Sequence, residues 1–120
     1  MILFAGSVCG CQGSEEEKVE RARKELRAWR GTVGIAAKEY LDGRVPRTYF
    51  RQVVTAADES LAEREKDLKG VVDAAVKSEL ADLRRVLAEV SAAMEREDGA
   101  GVMRATATLR VPSTNDGGGG

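Results

Sequence analysis

The sequence predicts an all-α protein: a small antiparallel bundle of three main helices, with a short fourth helix and a disordered Gly-rich C-terminal tail. Three observations lead there. Ala, Glu, Arg, Leu and Val dominate residues 14–111, a helix-forming composition. Apolar positions recur at alternating steps of three and four over long stretches. Short clusters carrying Gly, Pro or Asp interrupt those stretches at about the spacing of helical hairpins. A chain of 120 residues makes one domain at most.

The first helix starts at Ser14. Ser14 and Glu17 have the S-x-x-E spacing of a capping box, in which the serine hydroxyl accepts from the Glu17 amide and the Glu17 carboxylate reaches back. Glu15, Glu16 and Glu17 also suit the positive end of the helix dipole. The apolar stripe is Val19, Ala22, Leu26, Trp29, Val33, Ala36 and Tyr40, three heptads long. Glu17–Arg21 and Glu20–Lys24 are i,i+4 pairs with the acid first. Gly31 and Gly34 weaken the helix by about 1 kcal/mol each relative to Ala, and are expected to admit a neighbouring helix or to mark a bend.

Asp42-Gly43-Arg44-Val45-Pro46 ends this helix. Gly43 suits the left-handed position after a helix, and Pro46 can begin the next one. The second stripe is Phe50, Val54, Ala57, Leu61 and Leu68, with Arg64 or Glu65 where an apolar residue is expected. The stripe is therefore expected to be less buried there. At Lys69-Gly70 two readings fit. Gly70 can terminate the second helix with Asp73 capping the third, or one helix can continue, since Leu68, Val72, Val76 and Leu80 are four apart. A turn is preferred, because a helix of roughly 50 residues leaves half its stripe unpartnered within one chain.

The third stripe is Val72, Val76, Leu80, Leu83, Leu87, Val90 and Met94, with Asp73–Lys77 and Arg85–Glu89 on its wet side. It should end near Glu97, before Asp98-Gly99-Ala100-Gly101. Residues 102–111 alternate apolar and polar like a strand, but a lone strand has no ladder partner. They are read as the short fourth helix, capped by Asp98. From Pro112 to Gly120 the sequence reads as a flexible tail.

Function classes narrow by composition. The formal net charge is -1 with acids and bases interleaved, which leaves no basic footprint for nucleic acid. Histidine is absent, and with it the commonest general base and metal ligand. No Gly-rich phosphate loop and no nucleophile–base pair stands out, so no enzyme activity, cofactor, metal or small-molecule ligand is expected. Trp29, Tyr40, Tyr49 and Phe50 are candidates for a protein contact surface. Stripe aromatics are usually core, which leaves Tyr49, then Trp29, as the interaction residues to watch.

The only cysteines, Cys9 and Cys11, precede everything that looks folded. A disulfide between them is sterically poor, and C-x-C alone supplies two ligands where zinc takes four. They can also be inert in an N-terminal tail. A fourth reading comes from resemblance. Val8-Cys9-Gly10-Cys11 closes the apolar run Ile2-Leu3-Phe4-Ala5 and precedes a polar body, and it resembles the lipobox of bacterial lipoproteins. In that class an aliphatic residue stands three before the acceptor cysteine and Gly or Ala one before it. Cys11 fits, whereas Val8 stands where Cys9 would need a small residue.

The resemblance implies that residues 1–10 are a signal-peptide remnant, that Cys11 receives lipid, and that residues 11–13 link the anchor to a helical domain over 14–111. No Lys or Arg follows Met1, so translation is expected to begin upstream. The partners implied are the membrane, through lipid on Cys11, and an unidentified protein. Gln12 is not the Asp that retains such proteins at the inner membrane in enteric-type sorting, which favours the periplasmic face of the outer membrane. Three extended residue steps reach roughly 10 Å, so the bundle would sit on the headgroups with its first helix rising from them. The alternative is a cytoplasmic or secreted coiled-coil protein whose N-terminal tail is unmodified.

Overall fold

The computed structural model describes residues 14–119, with side chains described for residues 14–109. Among the described residues there are four helices and no strand: α1 (Glu15–Leu41), α2 (Arg47–Asp67), α3 (Ala74–Glu95) and α4 (Gly99–Gly119). Short turns fold them up and down, so α1 neighbours both α2 and α4, and α3 does the same across the bundle. The all-α antiparallel bundle is as the sequence predicts.

Each joint has a local cause. Ser14 Oγ accepts from the Glu17 amide at 3.2 Å and opens α1. Gly43, at φ +79°, ends it: the Gly43 amide donates to the Tyr40 carbonyl and the Arg44 amide to the Glu39 carbonyl. Gly70 takes φ +83° and breaks the chain between α2 and α3, so the turn reading holds there and the single long helix does not. Asp73 then caps α3 by accepting from the Val76 amide at 3.0 Å. Between α3 and α4 the left-handed residue is Glu97, at φ 56°, a conformation usually left to glycine. The Asp98 amide donates back to the Ala93 carbonyl at 2.8 Å, and its carboxylate accepts from the Gly101 amide at 2.9 Å.

Asp98 thus closes one helix and opens the next. Asp98→Ala is expected to cost about 1–2 kcal/mol, the upper range for an N-cap, read as a shift of the urea midpoint at unchanged slope. A change under about 0.3 kcal/mol would show that the capping bond contributes nothing net.

The core runs the length of the bundle. Leu26 and Val33 from α1, Phe50, Val54 and Leu61 from α2, and Val76, Leu80, Leu83, Leu87, Val90 and Met94 from α3 are buried together. From α4, Val102, Thr106 and Leu109 are buried, at steps of four and three. That period is helical, although the apolar–polar alternation of residues 102–111 resembles a strand. Thr106 satisfies its hydroxyl by donating to the Val102 carbonyl at 2.9 Å. Gly34 is where α4 comes close to α1: a Cβ there would stand 3.9 Å from that of Leu109, whereas one at Gly31 would meet nothing within 4 Å.

Three details depart from the sequence reading. Val72 is not part of the third stripe: it is 80% exposed, and Val71 is buried in its stead. Helix α3 begins only at Ala74, so Val72 lies in the connection, where helical phase has no meaning. The fourth helix is bounded Gly99–Gly119 and so runs past Pro112, whose ring inside a helix removes one backbone hydrogen bond and crowds the carbonyl four residues back, at a cost of about 3 kcal/mol. At the gap in the second stripe, Arg64 is only 19% exposed along its side chain, so that position is filled rather than open. Its guanidinium lies 3.8 Å from Glu25 and 2.9 Å from Asp67, while its stem fills the apolar slot. The i,i+4 pairs expected on the wet faces give way to others: Arg23 reaches Asp73 across the bundle at 3.7 Å, and Arg85 takes Asp82 at 3.1 Å. The Arg23–Asp73 pair depends on the packing of α1 against the α2–α3 connection, whereas Arg85–Asp82 is an i,i+3 pair within α3.

Candidate functional site

The predicted site residues lie in three separate places. Cys11, with the whole Val8-Cys9-Gly10-Cys11 motif and the signal and linker segments, falls outside the described residues. Tyr49 is in the first turn of α2 and 47% exposed. Trp29 is in the middle of α1, half-buried and packed against the core. Along the bundle axis the two aromatics are roughly 15 Å apart at 1.5 Å per residue, so they do not form one patch. Tyr40 and Phe50 do meet, stacked with ring centroids 5.0 Å apart and planes 20° off parallel. This stack seals the end of the α1–α2 hairpin, with Phe50 fully buried.

The polar residues gather between helices. Ser60 donates to Glu25 at 2.7 Å, and Arg64 lies beside the same carboxylate, joining α1 to α2. Arg84 of α3 reaches two acids of α2, donating from Nε to Asp58 at 3.0 Å and from Nη1 to Glu65 at 2.7 Å. The Asp58 hydrogen bond raises the Arg84 guanidinium above its ordinary range; partial desolvation pulls the other way, and the charges of both acids add to the rise. At the far end Arg47 donates from Nη2 to the Met94 carbonyl at 3.1 Å, and Arg51 to Glu95 at 2.9 Å, tying α2 to the end of α3. Each cluster spans a helix–helix seam; the guanidiniums of Arg84, Arg47 and Arg51 hydrogen-bond acceptors across it, whereas Arg64 stands 3.8 Å from Glu25, makes its short contact to Asp67 of its own helix and leaves its buried Nε without a hydrogen-bond partner. That arrangement fixes helix register.

One further signal was readable in advance. An Arg standing at an apolar stripe position, as Arg64 does, marks a helix seam where the charged head must find an acid on the neighbour. The Arg84 bridge had no such signal, because Arg84 sits off the stripe and only the packing of α3 on α2 brings Asp58 and Glu65 to it.

Two ends of the bundle differ. The end with the α1 N-terminus has an open cleft of about 760 Å³, walled by Glu16, Glu20 and Arg23 of α1 and by Val71, Val72 and Asp73 of the α2–α3 connection. Exposed Val72 therefore sits beside the place where residues 1–13 join the fold. Among the described residues no group of three or more Asp, Glu, His or Cys side chains is placed to hold a metal ion. Among the same residues no helix is long and apolar enough to cross a membrane. No protein-family model, no curated protein and no solved structure matches this chain.

Proposed function

We propose that this chain is the helical body of a lipid-anchored bacterial envelope protein that acts by tethering and by presenting helix faces to a protein partner, without catalysis. The observation that carries this reading is Val8-Cys9-Gly10-Cys11 at the end of an apolar run, with a capped helix beginning at Glu15. Lipid on Cys11 supplies the anchor. One acyl chain binds a membrane marginally at about 0.8 kcal/mol per buried methylene, and two or three hold stably. The outer membrane, at its periplasmic face, is favoured over the inner because Gln12 follows the acceptor.

Geometry supports the arrangement. With Ser14 as helix cap, only Gln12 and Gly13 separate Cys11 from the fold. The bundle end nearest the anchor bears Val72, an exposed apolar side chain in a connection, suited to shallow contact with the bilayer.

Intact-mass measurement tests the reading on protein expressed in a bacterial host from the complete upstream reading frame. The expected product starts at Cys11 and carries the added mass of two or three acyl chains. A product that retains Met1 with both thiols free would overturn the anchor and leave an unmodified coiled-coil protein.

A further inference from the structure

We propose that the solvent face of α1 is a self-association surface, on which a second copy of this chain packs antiparallel through its own α1.

Lys24, Ala28, Gly31, Ile35, Lys38 and Asp42 recur at steps of four and three, a second heptad stripe on the side of the helix opposite the core. All six are exposed, and Ile35 is 67% so. Nothing inside the bundle accounts for Gly31. A Cβ there would meet no atom within 4 Å, and its backbone is ordinary helix, yet glycine at an exposed helical position weakens the helix relative to alanine. A bare position one turn before an exposed isoleucine is what an incoming isoleucine of another helix can occupy.

Charge selects the partner and its direction. A parallel second copy sets Lys24 against Lys24 and Lys38 against Lys38. An antiparallel copy that seats Ile35 over Gly31 obeys a single register, in which Lys24 faces Asp42 and Ala28 faces Lys38. The two-fold axis then repeats each contact. Asp42 already holds Lys38 of its own helix through Oδ2 at 3.1 Å, so the partner's lysine would take its other oxygen. The Lys38 stem can cover Ala28 while its ammonium stays in water. Glu25, which flanks the seam, is turned away to Ser60 and Arg64. A different protein need not meet this register, whereas a copy of the chain meets it twice.

This inference goes beyond the anchoring reading and does not rest on it. The register sets the two Ser14 ends roughly 57 Å apart at 1.5 Å per residue. If both copies carry lipid in one bilayer, their α1 helices lie along the membrane instead of rising from it. A seam of one helix face is at the small end of specific interfaces, so the dimer is a weak one.

Sedimentation equilibrium on the full, unlipidated chain under reducing conditions tests the proposal. Reduction keeps Cys9 and Cys11 from linking copies. The wild-type chain is expected to dimerise reversibly. Lys24→Asp and Asp42→Lys should each weaken association about tenfold, and the combined swap should recover it to within about threefold. Gly31→Ala should raise the melting temperature of the monomer and weaken association, opposite signs that a purely structural role does not produce; this variant also serves if a charge variant misfolds by circular dichroism. A wild-type chain still monomeric at roughly 0.5 mM overturns the proposal. So does a combined swap as weak as its single variants, which would leave this face to a different protein. Either result stands apart from the mass measurement, which reads Cys11 alone.

Discussion

Phe50→Ala is expected to remove about 3–5 kcal/mol of folding free energy, the range for deleting a buried phenyl ring. Phe50 has no exposed surface and stacks on Tyr40 where α1 turns into α2. Its loss opens a cavity beneath that turn and removes a stacking contact worth about 0.5–1.5 kcal/mol beyond area burial. A domain of this size is stable by about 5–15 kcal/mol, so the variant should unfold at a markedly lower urea concentration. Its neighbour provides the contrast. Tyr49 is exposed, and Tyr49→Ala should stay within about 0.5 kcal/mol of the parent. Equal losses at the two positions would mean that the ring of Phe50 is not sealed as described.

Cys11→Ser is expected to move the protein from the membrane fraction to the soluble fraction nearly completely when it is expressed with its upstream reading frame. Cys9→Ser should leave the distribution unchanged. The size of the effect follows if the proposed lipid on Cys11 is the anchor, since each buried methylene contributes about 0.8 kcal/mol and the described helices contain no spanning segment to substitute. Fractionation with quantitative immunoblotting checks it. If both variants remain with the membrane, attachment runs through something other than a thioether at Cys11.

Much of the fold was legible because it is local. The cap at Ser14, the left-handed Gly43, the break at Gly70 and the caps at Asp73 and Asp98 each depend on residues within one turn of one another. The heptad stripe of α1 was legible for a related reason: Ala22, Leu26, Val33 and Ala36 are all buried, because a face that repeats every 3.5 residues can only be buried against something. Val72 shows where this logic stops. It continues the spacing of Val76 and Leu80, but spacing carries meaning only inside a helix, and the chain at Val72 is still approaching its cap. The expected site was less legible. Tyr49 is exposed as the stripes imply, whereas Trp29 leans on the core, and Cys11 lies outside the described residues.

Read alone, the amino-acid sequence determined the class, the caps at Ser14, Asp73 and Asp98 and most of each buried stripe, all of which follow from residues a few positions apart. It also contained the lipobox-like tetrapeptide. The tertiary structure decided which helices stand side by side, and with that every interhelical ion pair, from Arg64 with Glu25 to Arg84 with Asp58 and Glu65. It also decided which side of α1 is left to solvent. A stripe of Lys24, Ala28, Gly31, Ile35, Lys38 and Asp42 is only one of several faces on a helical wheel until α2, α3 and α4 have covered the others. The physical reason is that period specifies a face by angle, while exposure depends on what packs there, and long-range packing is a property of the whole chain.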